Sequence, residues 1–207
     1  MIRHPKEDPG PLVTFDFDGT LTCRDSFVAF LAWRAGHVGF AVGLLALLPA
    51  VVAWIGHRDR GVLKAAMVRR FLRGEASETV ATDAASFQDE AFSRLMRPDA
   101  LACWRDWQGK GARLYIVTAS PELVIAPFAA ALGADGLIGT RLAADPCGRL
   151  TGELEGLNCR GPEKVRRIRE RFGDGVVLAA AYGDTSGDRE MLAEAGIAGF
   201  KVFTTRP

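Results

Sequence analysis

Asp16 and Asp18 stand two residues apart in Asp16-Phe17-Asp18-Gly19-Thr20-Leu21, directly after the apolar run Leu12-Val13-Thr14-Phe15. Two carboxylates held close at a strand end repel each other unless a cation lies between them, they share a proton or they act on a ligand. In a fully extended chain residues two apart point the same way. Where the strand ends and the chain turns out through Gly19, the two acids can instead converge on the crevice beyond the strand ends, where open α/β sheets bind ligands. A second acidic loop far down the chain, Gly183-Asp184-Thr185-Ser186-Gly187-Asp188, points to a cation as what the acids share. Thr118 follows another apolar run, and Lys164 lies in a basic amphipathic stretch.

Strands must place these groups. Leu12–Phe15, Arg113–Val117 and Val176–Ala181 read as buried strands, apolar nearly throughout as in a parallel sheet covered on both faces. Short strands are also expected over Leu137–Leu142 and Arg149–Leu154, joined by Asp145-Pro146-Cys147-Gly148, and over Phe200–Phe203. Helical patterns fill Ser26 to about Phe92, Ala100–Gln108, a segment opening at Pro121-Glu122, Pro162–Phe172 and Asp188–Ala195. Strands alternating with helices imply an α/β fold, a Rossmann-like and mostly parallel sheet with an inserted all-helical cap. The expected division is residues 1–22 and 97–207 for the core and 23–96 for the cap.

The length of 207 residues suits one domain plus an insertion. A net charge of +1 predicts no nucleic-acid partner. Cys23, Cys103, Cys147 and Cys159 lack C-x-x-C spacing and read as reduced thiols of a cytoplasmic protein. Residues 1–11 have no apolar core of a signal peptide and read as a loose leader.

In order along the chain, Asp16-x-Asp18-Gly19-Thr20, Ile116-Val117-Thr118, Lys164 and Gly183-Asp184-x-x-x-Asp188 resemble the four motifs of the haloacid dehalogenase-like phosphohydrolases. The placement of the helical insertion resembles their phosphoserine phosphatase-like subgroup. That likeness implies hydrolysis of phosphomonoesters with Mg²⁺, a hard cation that takes oxygen ligands and keeps several waters. Asp16 and Asp184 can supply two oxygens, and the resemblance adds the main-chain carbonyl of Asp18. Asp16 would attack phosphorus to form an aspartyl-phosphate. Asp18 would protonate the leaving alkoxide and later deprotonate the attacking water. Thr118 and Lys164 would bind the phosphoryl oxygens, and Asp188 would hold metal-bound waters or Lys164.

Plainer roles compete. Thr118 could be a helix N-cap, Lys164 one solvated charge among Arg166, Arg167, Arg169 and Arg171, and Asp25 the cap of the helix that follows it. Asp25 is also a tentative substrate ligand, because phosphoserine phosphatases carry a glutamate near this position for the substrate's amino group. Departures from those enzymes at Thr118-Ala119-Ser120 and at Asp184-Thr185-Ser186-Gly187-Asp188 demote phosphoserine as the substrate.

Residues 38–56 contain no charge, reaching the roughly 18–20 residues of a membrane span. One crossing would put Asp16 and Asp184 on opposite sides of a bilayer, so a simple span contradicts the catalytic reading. A buried cap hairpin or an interfacial element bent at Pro49 remains. Basic residues follow it, among them Lys64, Arg69, Arg70 and Arg73, and these could face an anionic inner-membrane surface or simply water. Arg69 and Arg70 are tentative substrate ligands. The charge-free segment, the Thr-Ala-Ser-Pro motif and Asn158-Cys159-x-Gly161-x-Glu163-Lys164-Val165 are similar to bacterial phosphatidylglycerophosphatase C-type enzymes. That implies a phospholipid substrate, phosphatidylglycerophosphate, met peripherally at the inner membrane. A soluble small-metabolite phosphatase and a non-catalytic membrane-associated scaffold are the alternatives.

Overall fold

The computed structural model describes residues 10–48 and 60–207. Most of the expected leader, the Pro49 bend and the rest of the apolar segment lie outside the described residues. Six strands form one sheet in the order β4-β3-β2-β1-β5-β6. They are β1 (Leu12–Phe15), β2 (Arg113–Pro121), β3 (Gly136–Ala144), β4 (Leu150–Glu155), β5 (Leu178–Gly183) and β6 (Ala195–Phe200). The neighbours along the sheet run parallel except for the antiparallel β3–β4 hairpin. This is the α/β fold that the alternating pattern predicts. All four residues of β1 are buried, which is why its sequence is a continuous apolar run rather than an alternation.

The helices are α1 (Ser26–Ala46), α2 (Arg60–Leu72), α3 (Ser77–Leu95), α4 (Pro98–Gly109), α5 (Glu122–Ala131), α6 (Pro162–Phe172) and α7 (Arg189–Ala193). Between β1 and β2 the chain leaves the sheet at Thr22 and returns at Met96, and these two residues form an antiparallel bridge. Hydrogen bonds of 2.8 Å from Cys23 N to Leu95 O and from Arg97 N to Leu21 O close the crossing. Aromatic packing continues from the sheet side into α1–α3. Phe128 meets Phe87 at 6.0 Å between ring centroids, and Phe87 meets Phe30 at 5.6 Å.

Several boundaries differ from the sequence expectation. β2 does not end at Val117: it runs on to Pro121, which pairs with Thr140 after a register shift. β5 starts at Leu178 because that residue pairs with both Leu12 and Ala195, and β6 therefore occupies Ala195–Phe200 rather than 200–203. Apolar composition marks a buried strand but not the ladder that sets its ends. Helix α1 is broken at Gly36, whose φ of 68° is open to glycine without a Cβ penalty. Before the break, Phe27, Phe30 and Leu31 are buried in the core. By length and composition α1 could cross a membrane, but its first turns are anchored in the core. After the break, Val38 (78 % exposed) and Leu45 (65 %) face outward with Val42, Leu44 and Leu48. The expected choice between cap core and exposed wedge therefore divides: Leu47 is buried, but most of the described apolar residues beyond Gly36 are not.

The β3–β4 hairpin grips the turn between α2 and α3. Gly74 N donates to Leu150 O at 2.7 Å, Leu150 N donates to Glu75 O at 2.8 Å, and Ala76 bridges Arg149.

Candidate active site

Parallel pairing brings the motif residues together. Phe15 lies opposite Ile116 on one side and Tyr182 on the other, so the chain leaves β1, the middle of β2 and β5 at the same edge. Asp16 follows Phe15, Thr118 follows Val117, and Asp184 follows Gly183. Oxygens of Asp16, Asp184 and Asp188 all lie within 4.8 Å of one another. Gly19 lets the two acidic loops approach this closely. Its φ is 85°, and a Cβ there would fall on the Asp184 carboxylate. Thr20 Oγ1 sits between them, donating to Asp184 Oδ1 at 3.3 Å with Asp16 Oδ2 at 3.5 Å.

Lys164 is 1 % exposed, so it is not one of the solvated charges of α6. Its ammonium has three N–H donors and three acceptors: Asp16 Oδ1 at 2.6 Å, Asp188 Oδ1 at 2.7 Å and Val117 O at 2.6 Å. Asp188 turns its other oxygen to its own loop, accepting from Thr185 N at 2.8 Å and Thr185 Oγ1 at 2.9 Å.

Of the three clustered carboxylates, Asp16 and Asp188 share this one buried ammonium, and Asp184 does not contact it. Burial pushes Asp16 up to about 7, with Lys164 opposing and Asp188 adding to the rise. Asp184 is raised by burial and then by Asp188. Burial alone would lower Lys164, but Asp16 and Asp188 hold it above its ordinary value. Burial would likewise raise Asp188, but Lys164 draws it below the usual carboxylate range. An excess of buried negative charge on hard oxygen donors fits a divalent cation such as Mg²⁺.

Asp18 is held at both oxygens. Oδ1 accepts from Ser26 N at 2.7 Å, and Oδ2 accepts a short hydrogen bond from the buried hydroxyl of Ser120. Thr118 is no helix cap, since α5 starts only at Glu122. Its Oγ1 accepts from Ser120 N at 3.0 Å. Asp25 does cap α1, accepting from Val28 N at 2.8 Å, and burial followed by the charge of Asp18 raises its pKa.

Asp16, Asp18, Asp25, Thr118, Lys164, Asp184 and Asp188 all line one cavity of about 440 Å³. Arg69 and Arg70, expected as tentative substrate ligands, do not line it. Arg69 is an exposed ion-pair partner of Glu153 on the hairpin, and Arg70 lies 5.5 Å from the ring of Phe71. Helical phase turns these two away from the site, while Lys64 and Leu63 of the same helix line it.

Sequence reasoning passed over four other residues. Ser120 lies two positions beyond Thr118 on a strand, and that period could have marked it. Lys64 donates to Ala119 O at 2.6 Å and sits 5.9 Å over the Phe27 ring, and burial lowers its pKa. Arg24 and Arg160 line the mouth of the same cavity. Nothing local distinguishes Lys64 or the two arginines from surface cations.

Fold and site define a hydrolase built on an α/β sheet with acidic loops at one edge. The haloacid dehalogenase-like hydrolase family matches residues 13–193, and the chain belongs to that family. It is 56 % identical over 196 residues to Protein CicA of Caulobacter vibrioides, covering 95 % of this chain and 88 % of that one. It is 33 % identical over 204 residues to a phosphoserine phosphatase of Halobacterium salinarum, covering 90 % of this chain and 83 % of that one. A solved structure of a Bordetella pertussis protein of unknown function is similar in fold, with a TM-score of 0.74 and 24 % identity. That match covers 89 % of this chain and 86 % of the other.

Proposed function

We propose that this enzyme is a Mg²⁺-dependent phosphomonoester hydrolase working through an aspartyl-phosphate. The observation that carries this reading is the convergence of Asp16, Asp18, Thr118, Lys164 and Asp184 on one cavity. The relative named as a phosphoserine phosphatase adds support for the phosphatase class. Mg²⁺ held by Asp16, Asp184 and the main-chain carbonyl of Asp18 would supply the charge that lets a carboxylate approach an anionic phosphate.

Each residue then has a task. One oxygen of Asp16 forms a bond to phosphorus as the bond to the leaving oxygen breaks. Asp18, oriented by Ser26 and Ser120, gives its proton to that oxygen, and the alcohol departs. Asp18 then takes a proton from water as the water attacks the acyl-phosphate, releasing phosphate and restoring Asp16. Lys164 and Thr118 stabilise the phosphoryl oxygens, and Asp188 holds Lys164 in place. Residues 23–96 serve as a cap over the site, entered and left at the Thr22–Met96 crossing.

The substrate we propose is a lipid phosphate such as phosphatidylglycerophosphate, met at the inner face of a membrane by a peripheral protein. Phe27, Val28, Leu63 and Met67 give the acidic cavity one apolar wall, and the exposed Val38, Val42 and Leu45 continue an apolar surface along α1. The second reading is a soluble phosphoserine-like metabolite, favoured by Asp25 beside Asp18 in the cavity and by the Halobacterium relative. A substrate panel of dioctanoyl phosphatidylglycerophosphate, phosphatidate, phosphoserine and sugar phosphates separates the two. Preference for phosphoserine, with no liposome co-sedimentation of the wild type, would overturn the lipid reading. Loss of all turnover in Asp16→Asn separates an enzyme from a scaffold.

A further inference from the structure

Several cations of this protein lie against carboxylates. Arg34 pairs with Glu75 and Asp83, Arg167 with Glu163, and Lys164 with Asp16 and Asp188. Arg160, which lines the active-site cavity, is held in another way. Among the described residues it has no carboxylate within 4.0 Å. Its guanidinium is instead held by neutral hydroxyls, with NH2 to Ser186 Oγ at 3.0 Å and NH1 to Thr185 Oγ1 at 3.4 Å.

The position is built rather than incidental. Gly161 N donates to Gly187 O at 2.8 Å, tying the loop before α6 to the Asp184–Asp188 loop. The guanidinium rests on Gly187, where a Cβ would meet Arg160 Cζ at 2.6 Å. Glycine at 187 thus leaves the space that lets the half-buried arginine reach the cavity. A second guanidinium, Arg24, lines the same cavity from the loop before α1, and its side chain has no partner among the described residues. A charge carried to a site mouth on neutral partners keeps its capacity for a bidentate contact with carboxylate or phosphate.

The geometry points to Arg160, supported by Arg24, as a specificity-determining subsite for a second anionic group on the substrate, apart from the phosphate that is cleaved. The inference rests on the phosphomonoesterase reading, and it defines the substrate class as one with two anionic groups. A phosphodiester and a carboxylate present the same paired oxygens, so both belong in the test.

The measurement is kcat/KM for three Mg²⁺-dependent reactions: p-nitrophenyl phosphate with one anionic group, phosphoglycolate with an added carboxylate, and dioctanoyl phosphatidylglycerophosphate with an added phosphodiester. Wild type prefers at least one of the doubly anionic substrates over the aryl phosphate. In Arg160→Gln that preference ratio falls at least about tenfold, with a smaller fall in Arg160→Lys, which keeps the charge without the fork. Whichever added group loses its preference is the one bound. No preference in wild type, or an equal loss on all three substrates, overturns the subsite. If Arg160→Gln melts before assay temperature, Arg24→Gln and Arg160→Lys decide by the same ratio. Absence of turnover of every phosphomonoester by the wild type would overturn the phosphatase reading instead, and the subsite with it.

Discussion

Lys164 Nζ lies 2.6 Å from Asp16 Oδ1 across 148 residues of chain, inside a site where both groups are buried. The contact ties α6 to the end of β1. It also places a buried ammonium against a buried carboxylate of the acidic cluster.

Replacing Lys164 therefore affects stability as well as turnover. Lys164→Met leaves Asp16 and Asp188 facing each other without their shared cation, and removing one partner of a buried ion pair costs about 3–5 kcal/mol. Thermal melting in EDTA shows the full loss. Added Mg²⁺ recovers part of it, while activity stays at least about a hundredfold down. Equal melting temperatures of wild type and variant in EDTA would contradict the role of the pair.

Asp184 is the member of the cluster that does not touch Lys164; its Oδ1 accepts from Thr20 Oγ1. Asp184→Asn is thus expected to weaken metal binding with little effect on the metal-free fold. The Mg²⁺ concentration for half-maximal activity rises at least about tenfold, in line with the loss of a charged oxygen ligand. An unchanged Mg²⁺ requirement would remove Asp184 from the ligand set.

Ser120 acts through Asp18, whose Oδ2 accepts its hydroxyl. Ser120→Ala frees one side of that carboxyl, and misplacing a catalytic group by about 1 Å can cost about a hundredfold. The loss falls on kcat more than on KM, and Ser120→Thr, which retains the hydroxyl, recovers most of it. Equal damage from the alanine and threonine variants would mean that Ser120 serves packing alone.

Glu163 gives a stability signature in acid. The hydrogen bonds from Arg166, with the one from Arg167, outweigh burial and hold its carboxyl at about 2, below the ordinary 4.5. A depressed pKa contributes stability above 4.5 that is lost as pH falls towards 2. Urea midpoints of wild type and Glu163→Gln measured from pH 6 to pH 2.5 should therefore converge as the solution becomes acidic. A constant gap would show that the ion pairs contribute nothing through titration.

Much of this protein is legible one residue at a time. The strand-end acids Asp16, Asp18 and Asp184, the intervening Thr118 and the α/β order follow from apolar runs that stop at polar residues, whereas Lys164 is marked only by its place in the motif order of the family the chain resembles. An apolar run and its polar end are local signals, and parallel pairing then has little choice but to bring the strand ends to one edge. Where the strands end, which face of α2 meets the cavity and whether a given cation is buried depend on contacts between residues far apart in the chain. Arg69 and Lys64 show the difference: both are basic residues of one helix, yet one is paired with Glu153 outside the site and the other reaches Ala119 inside it. Only the packed structure breaks that equivalence, because burial and charge pairing are properties of a neighbourhood and a single sequence records only its members.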